Sequence, residues 1–288
     1  MRNGYGSQSM IQPLRRVLVK RPDSAFAAAE PASWHYAGRP DLELAQQEHD
    51  ALVALLQQAG AEVIYHPEPQ PERADAIFVH DPAIITNQGA IILSMGKMLR
   101  QGEEAALARR LAALDIPIYY TLHGSARAEG GDLLWVDEQT LAIGQGFRTN
   151  AAGFGQLTEA LQKLGVTTIP VQLPYYCGPE ACLHLMSLIS LVDHHLAVVY
   201  LPLLLVSFWQ YLREYGFKFI EIPDNEFATM GTNVLALAPG HCVMLAGNPV
   251  TQARLEQAGC QVLTYKGDEI SLKAEGGATC LTRPLLRA

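Results

Sequence analysis

One unit recurs along this chain, and the recurrence limits the fold more than any composition does. In its clearest copy, NVLALAPGHCVMLAG (233–247) is two apolar runs about a Pro-Gly turn. PVTQARLEQAG then reads as a helix opened by Pro249, and CQVLTYK as a third strand. The same order is visible in AIFVHDPAIITNQGAIILSMG leading into GEEAALARRLAALD and IPIYYT. It returns in GDLLWVDEQTLAIGQG with FGQLTEALQKLG and VTTIPVQL, and in LMSLISLVDHHLAVVYLP with LVSFWQYLREYG and FKFIEIP. A unit repeated in this way buries its apolar faces against its neighbours rather than alone.

The two ends of the chain hold complementary leftovers. PLRRVLVKRP, DLELAQQEHDALVALLQQAG and AEVIYH give strand, helix and strand, one strand short of a unit, and CLTRPLLR at the far end is one strand with no unit. Pairing first with last closes a ring of five and removes the open sheet edge. The alternative is an ordinary open α/β sheet. The expected fold is therefore a single α/β domain over 1–288, a five-bladed pseudo-symmetric propeller of strand-strand-helix-strand repeats.

Closure has a chemical consequence. Asp81, Glu129, His184, Thr232 and Cys280 occupy the same phase of their units, about fifty residues apart. In a ring, that phase faces one end of the axis, so a thiol, an imidazole and two carboxylates meet. A thiol needs a base or a positive neighbour to become a thiolate, and a histidine needs a carboxylate to fix its tautomer. Cys280, His184 and Glu129 fit those roles, leaving Asp81 to hold a cation. The bland alternatives are a core histidine at 184 and small buried hydrophobes at Cys182, Cys242 and Cys260.

Charge excludes some partners. A net charge of -8 leaves no clustered Lys and Arg for a nucleic-acid backbone and suits a small cationic ligand. The most apolar stretch, LAVVYLPLLLVSFW (196–209), is too short to span a bilayer and carries Pro202. Five cysteines without a CxxC pair, and an N-terminus without an apolar leader, point to a reduced cytoplasm. Nothing among the nine histidines has metal-ligand spacing, so neither metal nor cofactor is expected. A homodimer stays open.

The segments FVHDPAII, EGGDLLWV, CLHLMSLI and DEISLKAEGGATCLTRPL resemble the motifs of the guanidino-group-modifying (pentein) superfamily, in order and over essentially the whole chain. That superfamily includes dimethylarginine dimethylaminohydrolases, arginine deiminases and amidinotransferases, all five-bladed α/β propellers. The resemblance implies Cys280 as nucleophile, His184 as general acid and base, Glu129 as its partner and Asp81 as guanidinium ligand. It also implies Arg100 and Arg148 as ligands of a substrate carboxylate, which their planar forks suit.

The length and the C-terminal motif look most like the dimethylaminohydrolases, so the expected substrate is arginine or a methylarginine, cleaved to citrulline and an amine. Two positions depart from relatives. Where relatives that bind unmodified arginine carry His-x-Asp, this chain has His184-Leu185-Met186, so an apolar pocket wall is expected at Met186. His80 stands where dimethylaminohydrolases tend to have an acid, and as a neutral imidazole it would accept a guanidinium donor. Arginine dihydrolase, deiminase, amidinotransferase and a non-catalytic binding protein of the same fold are the alternatives. The Gly- and Ser-rich RNGYGSQS start is expected to be a lid that brings Asn3 to the ligand.

Overall fold

In most units two strands are apolar along nearly their whole length, and the third is not. Ala83–Thr86 and Gly89–Ile92 are buried at every residue, whereas Ile118–Thr121, which follows them, is exposed or half-exposed throughout. In the computed structural model, which describes residues 4–288, this contrast orders each sheet from an inner edge to a solvent-facing one. Continuous apolar runs are what a strand buried on both faces requires.

Five three-stranded sheets result. Their middle strands are Leu14–Val19, Gly89–Ile92, Thr140–Gln145, Leu196–Val199 and His241–Leu245. Each middle strand pairs antiparallel with the inner strand and parallel with the outer one. A parallel pair needs a crossover, and one helix supplies it in each unit: Leu42–Gln58, Glu103–Ala112, Ala151–Gln162, Val206–Glu214 and Pro249–Gln257. Asp41 and Asn150 cap two of these helices, accepting from the backbone N–H groups of Leu44 and Gly153.

The ring closes as the two leftovers require. Arg283–Arg287 is the inner strand of the first sheet, antiparallel to Leu14–Val19 with Leu18 opposite Arg283. Gly6 adds a rung, donating to Leu285 O and accepting from Arg287 N. The segment around residues 4–9 thus runs along the last strand, and Ser7 and Ser9 line a small axial cavity with His80 and Arg283. The expected N-terminal lid is not formed by these residues: its backbone is tied down by strand bonds. Asn3 lies outside the described residues.

Candidate active site

The residue just ahead of each inner strand comes from the phase-matched set. Asp81 precedes Ala83–Thr86, Glu129 precedes Leu133–Asp137, His184 precedes Ile189–Asp193, Thr232 precedes Val234–Ala238 and Cys280 precedes Arg283–Arg287. Closure brings these turns together at one end of the axis.

Glu129 and His184 form the centre. Glu129 is fully buried, and its Oε2 lies 2.7 Å from His184 Nε2. The other carboxylate oxygen accepts the backbone N–H groups of Gly96 and Lys97, at 2.9 and 3.0 Å. Burial opposes the charge on Glu129, but His184 and Arg148, whose Nη1 is 3.6 Å away, hold the carboxyl below its ordinary range. Burial also opposes charge on His184, yet Cys182, Glu129 and Asp132 carry its pKa well above the ordinary value. The protonated form of His184 is thereby favoured. Its Nδ1, 3.8 Å from Cys182 Sγ, is the nitrogen not engaged by Glu129.

The supports of this pair explain the local sequence. Leu185 N donates to Asp132 Oδ1, and Thr149 donates its hydroxyl to Asp132 Oδ2, so Asp132 ties the Glu129 turn to the His184 turn. Gly131 lies so close to the imidazole that a Cβ there would collide with Nδ1. Gly277 plays the same part before Cys280, against the side chain of Asn233. Each EGG motif is thus a close approach of backbone to a site side chain.

Cys280 is half-buried, and Asn233 Nδ2 donates to its sulfur at 3.3 Å. Asn233 Oδ1 in turn accepts the N–H of Thr279. Burial, Asp81 and Cys182 push the thiol up to about 11, and His184 and Asn233 pull it back only in part. Without a ligand the sulfur is a thiol at neutral pH.

Two carboxylates face the thiol's surroundings, each with an internal cation. Asp81 Oδ2 accepts from Arg100 Nη1 at 2.6 Å, and its Oδ1 accepts from Gly131 N at 2.9 Å. Asp75 Oδ2 accepts from Lys97 Nζ at 2.6 Å, and its Oδ1 from the Tyr36 hydroxyl. Lys97 also lies 4.9 Å from the Trp34 ring centroid, over its face. A narrow cavity of about 30 Å³ is lined by these groups with Arg148, His184 and Cys280. A second, wider cleft opens on the other side of Cys280 and His184.

Cys280, His184, Asp81, Arg100 and Arg148 of the sequence set all reach this cavity. Four expectations are corrected. His80 turns away: its Nδ1 is 2.8 Å from Thr282 O, its Nε2 3.2 Å from Arg283 Nη2, and it lines the separate axial cavity. Met186 is packed in the apolar core of the fourth sheet with Leu134 and Leu185, so it forms no pocket wall. Arg100 is not a free fork, because its guanidinium is committed to Asp81, Glu103 and Phe78 O. Cys182, expected to be a buried hydrophobe, is instead a half-buried pocket thiol.

Sequence reasoning missed Asp75, Lys97, Trp34 and Asn233. Asp75 carried a signal, since it sits six residues before Asp81 in the same apolar segment, and Lys97 lies three residues before Arg100.

A closed ring of five α/β blades with a cysteine, a histidine–carboxylate pair and a buried aspartate at one end of its axis is the arrangement of the guanidino-group-modifying superfamily. Within it, this chain belongs to the N,N dimethylarginine dimethylhydrolase family, eukaryotic type, whose model matches residues 32–287. The N(G),N(G)-dimethylarginine dimethylaminohydrolase of Pseudomonas aeruginosa is 27% identical over 93% of this chain and 98% of that protein. A solved structure of the Pseudomonas aeruginosa enzyme, a cysteine-to-serine mutant complexed with citrulline, superposes with a TM-score of 0.78. It covers 94% of this chain and 99% of that one, at 23% identity. The N-terminal domain of the cyanobacterial arginine dihydrolase ArgZ, bound to substrate, superposes with a TM-score of 0.78 at 20% identity, over 94% and 97% of the two chains.

Proposed function

We propose that this protein hydrolyses a guanidino C–N bond of an N-methylated arginine, giving citrulline and a methylamine through a thiouronium on Cys280. The observation that carries the reading is the junction of Cys280, His184 and Asp81 in one cavity, with Glu129 buried against the far nitrogen of His184. Membership of the family and the activity of the Pseudomonas relative support it.

The geometry suggests the order of events. A guanidinium held by Asp81 brings positive charge beside a thiol whose pKa, about 11, is set by burial and by Asp81 itself. That charge favours the thiolate, so the substrate activates its own nucleophile and the thiol proton leaves to solvent. Sulfur attacks the guanidinium carbon and forms a tetrahedral adduct. Nδ1–H of His184 protonates the departing amine as the C–N bond breaks, while Glu129 holds Nε2. The neutral imidazole then takes a proton from water, whose oxygen attacks the thiouronium carbon. Loss of sulfur gives citrulline and restores Cys280.

Arginine itself is the second reading, favoured by Asp75. This carboxylate supplies the second guanidinium ligand missing at Met186, if Lys97 gives way. Comparing kcat/KM for arginine and its mono- and dimethyl forms separates the two. Arginine ahead by tenfold, or ornithine and ammonia as products, would overturn the methylarginine assignment. A cytoplasmic setting is part of the proposal: the five cysteines are free, and no helix among the described residues is long and apolar enough to cross a membrane.

A further inference from the structure

The wider cleft beyond Cys280 is larger than a methyl group requires. Its volume is about 310 Å³, roughly ten times the 30 Å³ of the charged cavity, and the two share Cys182, His184, Glu275 and Cys280. The reacting carbon therefore sits where they join. Asp81, which would hold the guanidinium, and the cations Lys97 and Arg148, which would hold the carboxylate of the amino-acid part, all line the charged cavity. The nitrogen that leaves under protonation by His184 then points into the wide cleft.

One part of that cleft's lining is apolar and braced. Tyr176, Phe227, Met230 and Leu272 line it, with Phe227 stacked on Tyr200 at 4.1 Å and Tyr176 edge-on to Phe227 at 5.9 Å. Three of its polar side chains already have partners, and the Glu275 carboxylate lines it where it meets the charged cavity. Asn233 is engaged by Cys280 and Thr279, the Ser187 hydroxyl accepts from His184 N, and Thr232 donates to Ser187 O. A dry apolar cavity of about 150 Å³ is enough to take up benzene.

We infer that the preferred substrates carry an alkyl or arylalkyl group on the departing guanidino nitrogen, and that the amine released is a primary alkylamine or benzylamine. This rests on the proposed hydrolase reading and names its substrate class. The chemistry is unchanged: sulfur–carbon forms, carbon–nitrogen breaks, His184 supplies the amine's proton, and water completes citrulline. The gain comes from burying the substituent, which strengthens binding about fourfold per methylene that leaves water.

The test is steady-state kinetics of the full chain on Nω-methyl-, Nω-butyl- and Nω-benzyl-arginine, with the released amine quantified. The expected kcat/KM for the benzyl compound is about tenfold above that for the methyl compound. Met230→Trp, which fills the cleft, should lower the benzyl-to-methyl ratio at least tenfold, and residual methyl turnover reports a folded protein. Ala228→Leu at the rim should move the ratio the same way. Benzyl turnover equal to or below methyl, or a ratio unmoved in both variants, would overturn the inference alone. No turnover of any of the three, or of arginine, with no modification of Cys280, would instead overturn the hydrolase reading beneath it.

Discussion

Glu129 and His184 stand 55 residues apart in the chain and 2.7 Å apart in space. That contact exists only because adjacent blades present the same turn to one end of the axis. It sets the charge of the general acid. Replacing Glu129 with Gln removes the anion that helps raise the His184 pKa, so the imidazolium should lose its proton nearer the ordinary value of about 6.5. The acid form is then lost earlier as pH rises. Glu129→Gln should lower kcat/KM by about 100-fold at pH 8, and less at pH 6. A pH profile parallel to that of the wild type would contradict this assignment.

The Asn233–Cys280 contact makes a separate prediction. In the free protein the thiol titrates near 11, so iodoacetamide should alkylate Cys280 faster with each rise in pH from 7 to 10, without a plateau. Asn233→Leu removes a donor that stabilises the thiolate, so its pKa should rise further. Alkylation at pH 8 should fall by roughly tenfold, the ratio expected for one unit of pKa. An unchanged rate would mean that the amide does not act on the sulfur.

What the sequence disclosed and what it hid follow from one geometric rule. The fifty-residue phase placed Cys280, His184, Glu129 and Asp81 together because a repeat fixes where each turn points. It failed for the neighbours of those residues. His80 precedes Asp81 in the chain but lies in the turn ahead of Ala83–Thr86, and there its side chain lines the axial cavity instead. Met186 lies within the one-turn helix Leu185–Ser187 after His184 and turns into the core. Arg100 was found by motif, but no pattern of residues reveals that Glu103 and Asp81 already hold its fork. The closing strand was legible because one unit lacked it. The path of residues 4–9 was not, because glycine and serine suit a strand rung as well as a lid.

Arg100 is buried between Asp81 and Glu103, and burial pushes the Glu103 carboxyl up to about 7 even with the guanidinium present. Arg100→Met leaves two buried acids without their cation. The expected loss of stability is about 3 kcal/mol by urea denaturation, together with loss of turnover as Asp81 is released. Stability within experimental error of the wild type would show that the pair is not needed for folding.

Ring closure is tested by ending the chain at Thr279. This deletes the inner strand of the first sheet, exposes the edge of Leu14–Val19 and removes Cys280. The truncated protein should aggregate or fail to give a cooperative thermal transition. A soluble monomer with a normal melting curve would contradict closure. Cys280→Ser in the full chain is the companion control and should fold normally.

The most direct test is the intact mass of the protein during turnover. Wild type and His184→Gly are mixed with N-methylarginine, quenched in acid and weighed, and the modified peptide is identified. Removing His184 slows hydrolysis of the thiouronium, so the variant should accumulate an adduct of the substrate less its amine on the peptide bearing Cys280. Cys280→Ser should carry none and release no citrulline. Citrulline formed by Cys280→Ser at the wild-type rate, or an adduct on any other residue, would contradict covalent catalysis by Cys280.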